Sequence, residues 1–197
     1  FLHMKKLLFL MALAFSVTAF AQESKAYLSL SVGASLPGGD IADAVDLGTG
    51  IDLGIGFGYR FTEQWGATLN LGSAASAYDD ANGDTAAFGA GFFSVGPMYT
   101  LGLGGDWSWD IKPQYVFSLS GVDDQEGGDF DSTLSGTGLL FGNSFVKGLG
   151  SGFKLAINLD YLSGSYSEVE VDGETFDIDE DNGYSKLSIG VGVRYNF

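Results

Sequence analysis

The chain has 197 residues, no cysteine, and a formal net charge of −16 from 25 acidic and nine basic residues. This length corresponds to one domain. The lack of cysteine excludes a disulfide framework and a thiolate metal site. The shortage of lysine and arginine argues against nucleic acid as a partner, since phosphate contacts need basic side chains.

The N-terminus has the three parts of a secretory signal peptide. They are, in order, the positively charged Met4-Lys5-Lys6, the apolar run Leu7–Val17 and the small-x-small motif Ala19-Phe20-Ala21. The apolar run is too short for a membrane-spanning helix. We therefore predict that residues 1–3 lie upstream of the initiator methionine and that residues 4–21 are a signal peptide cleaved near Ala21-Gln22. The predicted mature domain, residues 22–197, keeps seven basic and 25 acidic residues, a net charge of −18.

Eight later segments alternate apolar and polar residues, which is the period of a strand with two different faces. The predicted strands are Ala26–Leu36, Thr49–Phe61, Gly66–Ser76, Ala86–Leu101, Trp107–Gly121, Leu134–Val146, Gly152–Ser163 and Tyr184–Phe197. The sixth is the weakest, because its phase breaks around Leu139-Leu140. Pro97 and Pro113 lie inside strands four and five, where we expect a bulge or shortened pairing, since each removes a ladder hydrogen bond.

Short and long connections alternate between these strands. The predicted short turns are Thr62–Trp65, Gly102–Asp106 and Lys147–Ser151, and the predicted long loops are Pro37–Gly48, Ala77–Thr85, Val122–Thr133 and Gly164–Gly183. An even number of strands with this alternation is typical of outer-membrane barrels, which have periplasmic turns and extracellular loops.

The two faces of the strands carry different residues. Aromatic side chains lie mostly near the ends of the apolar face, as in the interfacial girdles of membrane barrels. On strand five this face runs from Trp107 to Leu119. A charge facing lipid costs about 2–4 kcal/mol at the midplane, so the polar face is predicted to line the lumen. The predicted lumen network, in which acidic and basic side chains pair, is Asp52, Arg60, Asp110, Lys112, Lys154, Asp160, Lys186 and Arg194.

The last 14 residues, Tyr184–Phe197, alternate without interruption and end on an aromatic residue. With the signal peptide, the strand pattern and the loop rhythm, this ending resembles small outer-membrane β-barrel proteins. The group it resembles is the porin family, or outer membrane protein beta-barrel domain. Its plan is similar to that of the OmpA transmembrane domain and OmpX, and its high glycine content resembles that of Bacteroidetes members.

The resemblance implies an all-β fold, an eight-stranded antiparallel up-and-down transmembrane barrel in the outer membrane of a Gram-negative bacterium. It also implies a monomer surrounded by outer-membrane lipid. Tyr195 and the final Phe197 would then be the assembly signal that the barrel-assembly machinery reads.

The predicted function is a structural or surface-interaction role through the long loops, which hold 19 of the 25 acidic residues and no lysine or arginine. The alternative is a narrow, cation-preferring passive channel. An outer-membrane enzyme is less favoured, because the single histidine, His3, precedes the signal peptide and the usual general base is then missing. A soluble lipocalin-like carrier is disfavoured by the polarity of the two faces. We expect no cofactor.

The last long loop has two further signals. The predicted weak divalent-cation residues are Asp177, Asp179, Glu180 and Asp181, although Asn182 and Ser188 stand where a calcium loop needs Gly and Glu. Solvation of the loops alone is the other interpretation. Upstream, alternating residues around Asp172-Gly173 form a hairpin signal, which predicts a ribbon that protrudes beyond the membrane.

Overall fold

The computed structural model describes residues 25–79, 83, 85–124, 132–171, 174–178 and 182–197. The elements in these residues are β1 (Ala26–Gly38), α1 (Asp40–Val45), β2 (Gly50–Arg60), β3 (Trp65–Asp79), β4 (Thr85–Gly104), β5 (Trp107–Asp124), β6 (Ser132–Gly150), β7 (Phe153–Val171), β8 (Glu174–Asp177) and β9 (Gly183–Asn196). The predicted signal peptide, residues 4–21, lies outside the described residues and stays a prediction.

Eight of the strands form one closed antiparallel ring. Neighbours in sequence pair from β1 to β7, β7 then pairs with β9, and β9 pairs with β1. The closing ladder between β9 and β1 runs from Tyr27 opposite Asn196 to Gly38 opposite Ser185. The predicted eight-stranded up-and-down barrel is therefore confirmed. The remaining strand, β8, pairs with the extension of β7 above the ring.

The outside of the ring is apolar, because every second residue of each strand points away from the lumen. Ile51, Leu53 and Val191 are 63%, 53% and 54% exposed. In water such a surface would be unstable, whereas in a bilayer it is the surface that faces lipid. Aromatic pairs such as Trp65–Tyr99, with ring centroids 4.7 Å apart, lie near the ends of this face.

The short turns set the strand register. Gly105 and Asp106 connect β4 to β5, and Ser151 and Gly152 connect β6 to β7. All four residues have positive φ. Two central residues with positive φ define the type I′ turn, whose twist matches that of a hairpin. Because the short and long connections alternate along the chain, the short turns lie together at one end of the barrel and the long loops lie at the other.

The structure extends several strands into the predicted loops. β6 begins at Ser132 and β7 continues to Val171, so one side of the wall rises above the ring. The predicted loop Pro37–Gly48 contains α1, which the alternation pattern did not indicate. The pairing of β7 with β8 confirms the predicted hairpin, whose turn residues, 172 and 173, lie outside the described part. That this ribbon protrudes beyond the membrane stays a prediction.

One predicted orientation is wrong. A register shift lies between Val116 and Leu119 of β5, so Phe117 and Ser118 are both exposed and Leu119 turns into the lumen, where it is 1% exposed. A bulge of this kind adds one residue to a strand and reverses the phase of everything beyond it. Leu119 is therefore an inward residue, and its predicted outward position is corrected.

The interruption expected at the two prolines is found. Pro97 and Pro113 lie opposite each other, and the β4–β5 pairing stops after Val95 and resumes at Tyr99 in the same register. Each proline lacks the N–H that its partner strand would accept. The gap is thus a shortened pairing rather than a bulge.

Candidate functional site in the lumen and at the outer rim

The half of the lumen nearest the short turns is centred on Asp110, which is fully buried. Its carboxylate accepts hydrogen bonds from Arg194 Nη1 at 2.5 Å and from Thr100 Oγ1 at 2.6 Å. Arg60 Nη2 lies 3.5 Å from the same carboxylate. The Arg194 guanidinium also lies 3.9 Å from the centre of the Tyr27 ring. One carboxylate therefore holds two guanidinium groups across the barrel.

A second ion pair joins β2 to β9. Lys186 Nζ donates to Asp52 Oδ2, and Ser188 Oγ donates to the same oxygen at 3.0 Å. Lys186 is 2% exposed, and its ammonium lies 4.8 Å from the centre of the Phe92 ring. The pair therefore sits between the polar half of the lumen and the apolar residues above it.

The other three predicted network residues also occupy inward strand positions. Lys112 Nζ donates to Ser144 Oγ at 2.8 Å, and Asp160 Oδ1 accepts the Asn143 N–H at 3.0 Å. Within the described part of the chain, Lys112, Lys154 and Asp160 make no ion pair within 4.0 Å. The structure thus brings all eight residues into one lumen, and it pairs five of them directly.

The predicted network is positively charged overall. It contains five basic residues and three acidic ones, an excess of two positive charges. This interior has the opposite sign to the long loops, which hold only acidic charges. A cation that passed the acidic rim would therefore meet repulsion inside the barrel.

A small cavity of about 40 Å³, lined by both polar and apolar side chains, lies in the middle of the lumen. Gln114 borders it, and its Oε1 accepts hydrogen bonds from Asn70 Nδ2 at 2.7 Å and Ser94 Oγ at 2.8 Å. A buried water needs roughly 10–15 Å³ of such space. The cavity therefore has room for a few water molecules and for no larger solute.

The half of the lumen nearest the long loops is filled by an apolar cluster, which the sequence analysis missed. Its members are Tyr78, Ala86, Phe88, Ala90, Val116, Leu119, Leu140, Leu162, Tyr166 and Tyr184. The signal was available in the adjacent apolar pairs Leu139-Leu140 and Tyr161-Leu162. In each pair the first residue faces lipid and the second faces the lumen. The phase of strand six is therefore continuous, and the apparent break reflects an apolar interior.

The helix α1 lies against this cluster. Ile41, Val45 and the following Leu47 pack on it. The Asp40 carboxylate accepts the Gly183 N–H at 3.1 Å, and the Gly48 N–H donates to the Ala77 carbonyl at 2.9 Å. These bonds attach both ends of the helical segment to the wall. The described part of the first long loop thus adds an apolar layer to the upper end of the lumen.

The structure describes only one of the four residues predicted to bind a divalent cation. Asp177 ends β8 and is exposed, whereas Asp179, Glu180 and Asp181 lie outside the described residues. Among the described residues, no three histidine or carboxylate side chains are grouped so that they could hold a metal ion. Divalent-cation binding in this loop stays a prediction.

The predicted assembly signal lies at the short-turn end of the wall. Tyr195 faces outward, and its ring centroid lies 4.9 Å from that of Phe153 and 6.2 Å from that of Phe197. The Phe197 N–H donates to the Ala26 carbonyl at 3.0 Å. The last residue is therefore joined to the first strand, and its role in assembly stays a prediction.

Membrane crossing by helices has no support in the described residues, where no helix has the length and apolar character that it requires. In the closed ring, each strand pairs with the strands on both sides of it. The exterior of the ring is apolar, and aromatic residues lie near its two ends. These features define a transmembrane β-barrel.

Comparison with known proteins gives the family. The family model for the outer membrane protein beta-barrel domain matches residues 7–197 of the sequence, and the chain belongs to this family. A comparison with curated protein sequences finds no match.

Solved structures show the same fold. Neisserial surface protein A is 16% identical, with a TM-score of 0.57 over 87% of this chain and 97% of that one. Ail, the attachment invasion locus protein of Yersinia pestis, is 14% identical, with a TM-score of 0.52 over 88% of this chain and 100% of that one. OprG from Pseudomonas aeruginosa is 11% identical, with a TM-score of 0.51 over 88% of this chain and 97% of that one.

Proposed function

We propose that the protein is a monomeric outer-membrane barrel with a closed lumen, which acts at the cell surface through its acidic loops. The observation that supports this proposal is the apolar cluster in the upper half of the lumen, with Ile41, Val45 and Leu47 packed on it. Below the cluster, charged side chains cross the barrel and pair. An eight-stranded barrel is just wide enough for its own side chains to fill it.

The alternative, a cation-preferring channel, has less support. A permeating ion would have to leave water and pass the cluster around Leu119, Leu140 and Leu162, where the three tyrosine hydroxyls of the cluster cannot replace its hydration shell. It would also have to pass a network with two excess positive charges. An enzymatic role is less favoured still, because residues 22–197 contain neither histidine nor cysteine.

The charge of the loops restricts the partners. Ail has been crystallised in complex with the heparin analogue sucrose octasulfate. The long loops of the present chain have no lysine or arginine, so they would repel a polyanion of this kind. Cationic partners, or divalent cations, suit this surface better. The same proposal includes cleavage near Ala21-Gln22 and insertion from the periplasm by the barrel-assembly machinery.

Single-channel recording tests the closed lumen. We expect residues 22–197, folded in a planar bilayer in potassium chloride, to give no steady current steps. A heat-sensitive shift in gel mobility confirms that the protein in the same preparation is folded. Steady cation-selective steps from the wild-type protein would contradict the proposal and favour the channel.

A triple variant provides the matched control for that recording. Phe88→Ala, Leu140→Ala and Leu162→Ala together remove large side chains from the cluster, and we expect them to introduce only small, brief current steps, because the charged network below still narrows the lumen. The same substitution at three lipid-facing residues, Ile55, Leu159 and Val191, leaves the lumen unchanged and should leave the bilayer silent.

Removal of Phe197 tests the assembly signal. We expect the truncated chain to accumulate in the periplasm, with at least a tenfold loss of heat-modifiable barrel in outer-membrane fractions. The reason is that the machinery would lose the aromatic end that it reads. Phe197→Tyr keeps an aromatic ring and should assemble normally. Equal amounts of folded barrel from the truncated and complete chains would contradict the assignment.

A further inference from the structure

The ribbon of β7 and β8 offers an unoccupied strand edge at the outer rim. Glu174–Asp177 pairs on one side with β7, and within the described part of the chain no strand pairs with its other side. All four residues are exposed. A free edge of this kind presents backbone donors and acceptors to any extended segment that reaches it.

The hydrogen bonds within the ribbon show which backbone groups are free. The Ile178 N–H donates to the Ser167 carbonyl at 2.9 Å. In an antiparallel ladder, bonded residues alternate along each strand. Glu174 and Phe176 therefore direct their backbone groups to β7, whereas Thr175 and Asp177 direct theirs to the free edge.

The two faces of the ribbon have different chemistry. Residues directly opposite each other share a face, so Glu168 and Glu170 lie on the same face as Asp177. The other face carries Val169, Val171 and Phe176, which is 51% exposed, and has one acidic residue, Glu174, at its far end opposite Val171. The ribbon is therefore acidic on one face and largely apolar on the other.

The acidic face contains an unfavourable pair. Glu168 lies directly opposite Asp177 at a position where the two strands exchange no hydrogen bonds and their side chains come closest. Like charges opposite each other destabilise a sheet. Both side chains are exposed, and no lysine or arginine in the long loops can neutralise them. A basic side chain from outside would remove this repulsion.

We propose that the free edge of β8 binds an extended, cationic segment of a partner protein, which adds antiparallel to the ribbon as a further strand. Its basic residues lie opposite Thr175 and Asp177, beside the glutamates, and its alternate apolar residues continue the row of Phe176 and Val169. Main-chain bonds supply the docking, and the alternating side chains supply the specificity. The inference rests on the proposed surface role and names its partner class.

An octapeptide that alternates lysine and valine serves as the probe. We expect it to bind the complete folded barrel in uncharged detergent, as measured by fluorescence anisotropy. A peptide with glutamate in place of lysine should not bind, and a peptide with four lysines followed by four valines should bind at least tenfold more weakly. If both lysine peptides bind equally, the attraction is only electrostatic and the strand-addition proposal is wrong.

Backbone methylation of the probe gives the sharper test and leaves the protein unaltered. Lysines opposite Thr175 and Asp177 would exchange main-chain bonds with β8, whereas the valine N–H groups would point away. Methylation of the lysine nitrogens should therefore reduce binding at least tenfold, and methylation of the valine nitrogens should have little effect. Equal effects of the two methylations would overturn the proposal.

A protein variant gives an independent check. Thr175→Pro removes an N–H from the free edge and leaves the bonds to β7 in place, since proline is tolerated on that side of an edge strand. We expect at least a tenfold loss of probe binding, with Thr175→Ala unchanged. Unchanged binding by the proline variant would contradict the edge site. Because neither peptide result depends on conduction, current through the wild-type barrel would contradict the closed lumen alone.

Discussion

Replacing Asp110 with asparagine is expected to lower the free energy of unfolding by about 3–5 kcal/mol, the usual cost of removing one partner from a buried ion pair. Asp110 is fully buried, and its carboxylate is the shared partner of Arg60 and Arg194. The asparagine would fit the space but leave the buried guanidinium of Arg194 and the partly exposed guanidinium of Arg60 without their counter-charge. Equilibrium unfolding in urea, with the barrel in lipid vesicles, measures the change.

Asp160→Asn is the matched control for this substitution. Asp160 is also an inward aspartate, but its described hydrogen bond comes from the Asn143 N–H, which an asparagine oxygen can still accept. We expect a loss of about 1 kcal/mol, typical of one altered hydrogen bond. If both variants lost the same stability, Asp110 would have no special place in the network.

Replacing Gly33 with valine is expected to prevent closure of the ring. Gly33 lies opposite Gly190, where β1 meets β9. A Cβ atom at position 33 would lie 2.7 Å from the Gly190 Cα and would also overlap the Ile189 carbonyl oxygen. The atoms in the way belong to the backbone, so the strands themselves would have to move apart. Ordinary overpacking lowers the free energy of unfolding by about 1–3 kcal/mol, and we expect a larger loss here.

The readout is the fraction of protein that shows the heat-sensitive gel shift after refolding, which should fall at least tenfold. Gly102→Val is the control, because a Cβ atom at position 102 of β4 has no neighbour within 4 Å. That variant should fold with the wild-type yield. A normal yield from Gly33→Val would mean that the closing strands are not held as closely as the structure shows.

The barrel could be predicted because its exterior obeys one rule. Lipid accepts only apolar side chains, so residues such as Ile51 and Val191 alternate strictly and mark the strands directly. The places of the short turns follow from the gaps between those strands, whereas the two-residue type I′ turns come from the structure, which extends the strands into two of the gaps. The family of the chain could be recognised on the same pattern, together with its last residue, Phe197.

The interior could not be predicted in the same way, because nothing requires inward residues to be polar. Leu140 and Leu162 face the lumen among other apolar side chains, and in the sequence they look like errors of phase. Leu119 changes sides through a bulge that no local signal marks. The helix Asp40–Val45 has only six residues, too few for a helical period to stand out. Its position depends on tertiary contacts with the cluster below it.

The facing prolines have a consequence for the mechanical strength of the wall. The β4–β5 ladder is interrupted at Pro97 and Pro113, but a two-residue turn joins these strands covalently. The seam between β1 and β9 has no such link, since it joins the two ends of the chain, and its ladder runs without a register shift. The uninterrupted β1–β9 ladder therefore lies at the seam, where no turn joins the two strands. The interrupted β4–β5 ladder lies where a hairpin turn keeps the two strands from separating.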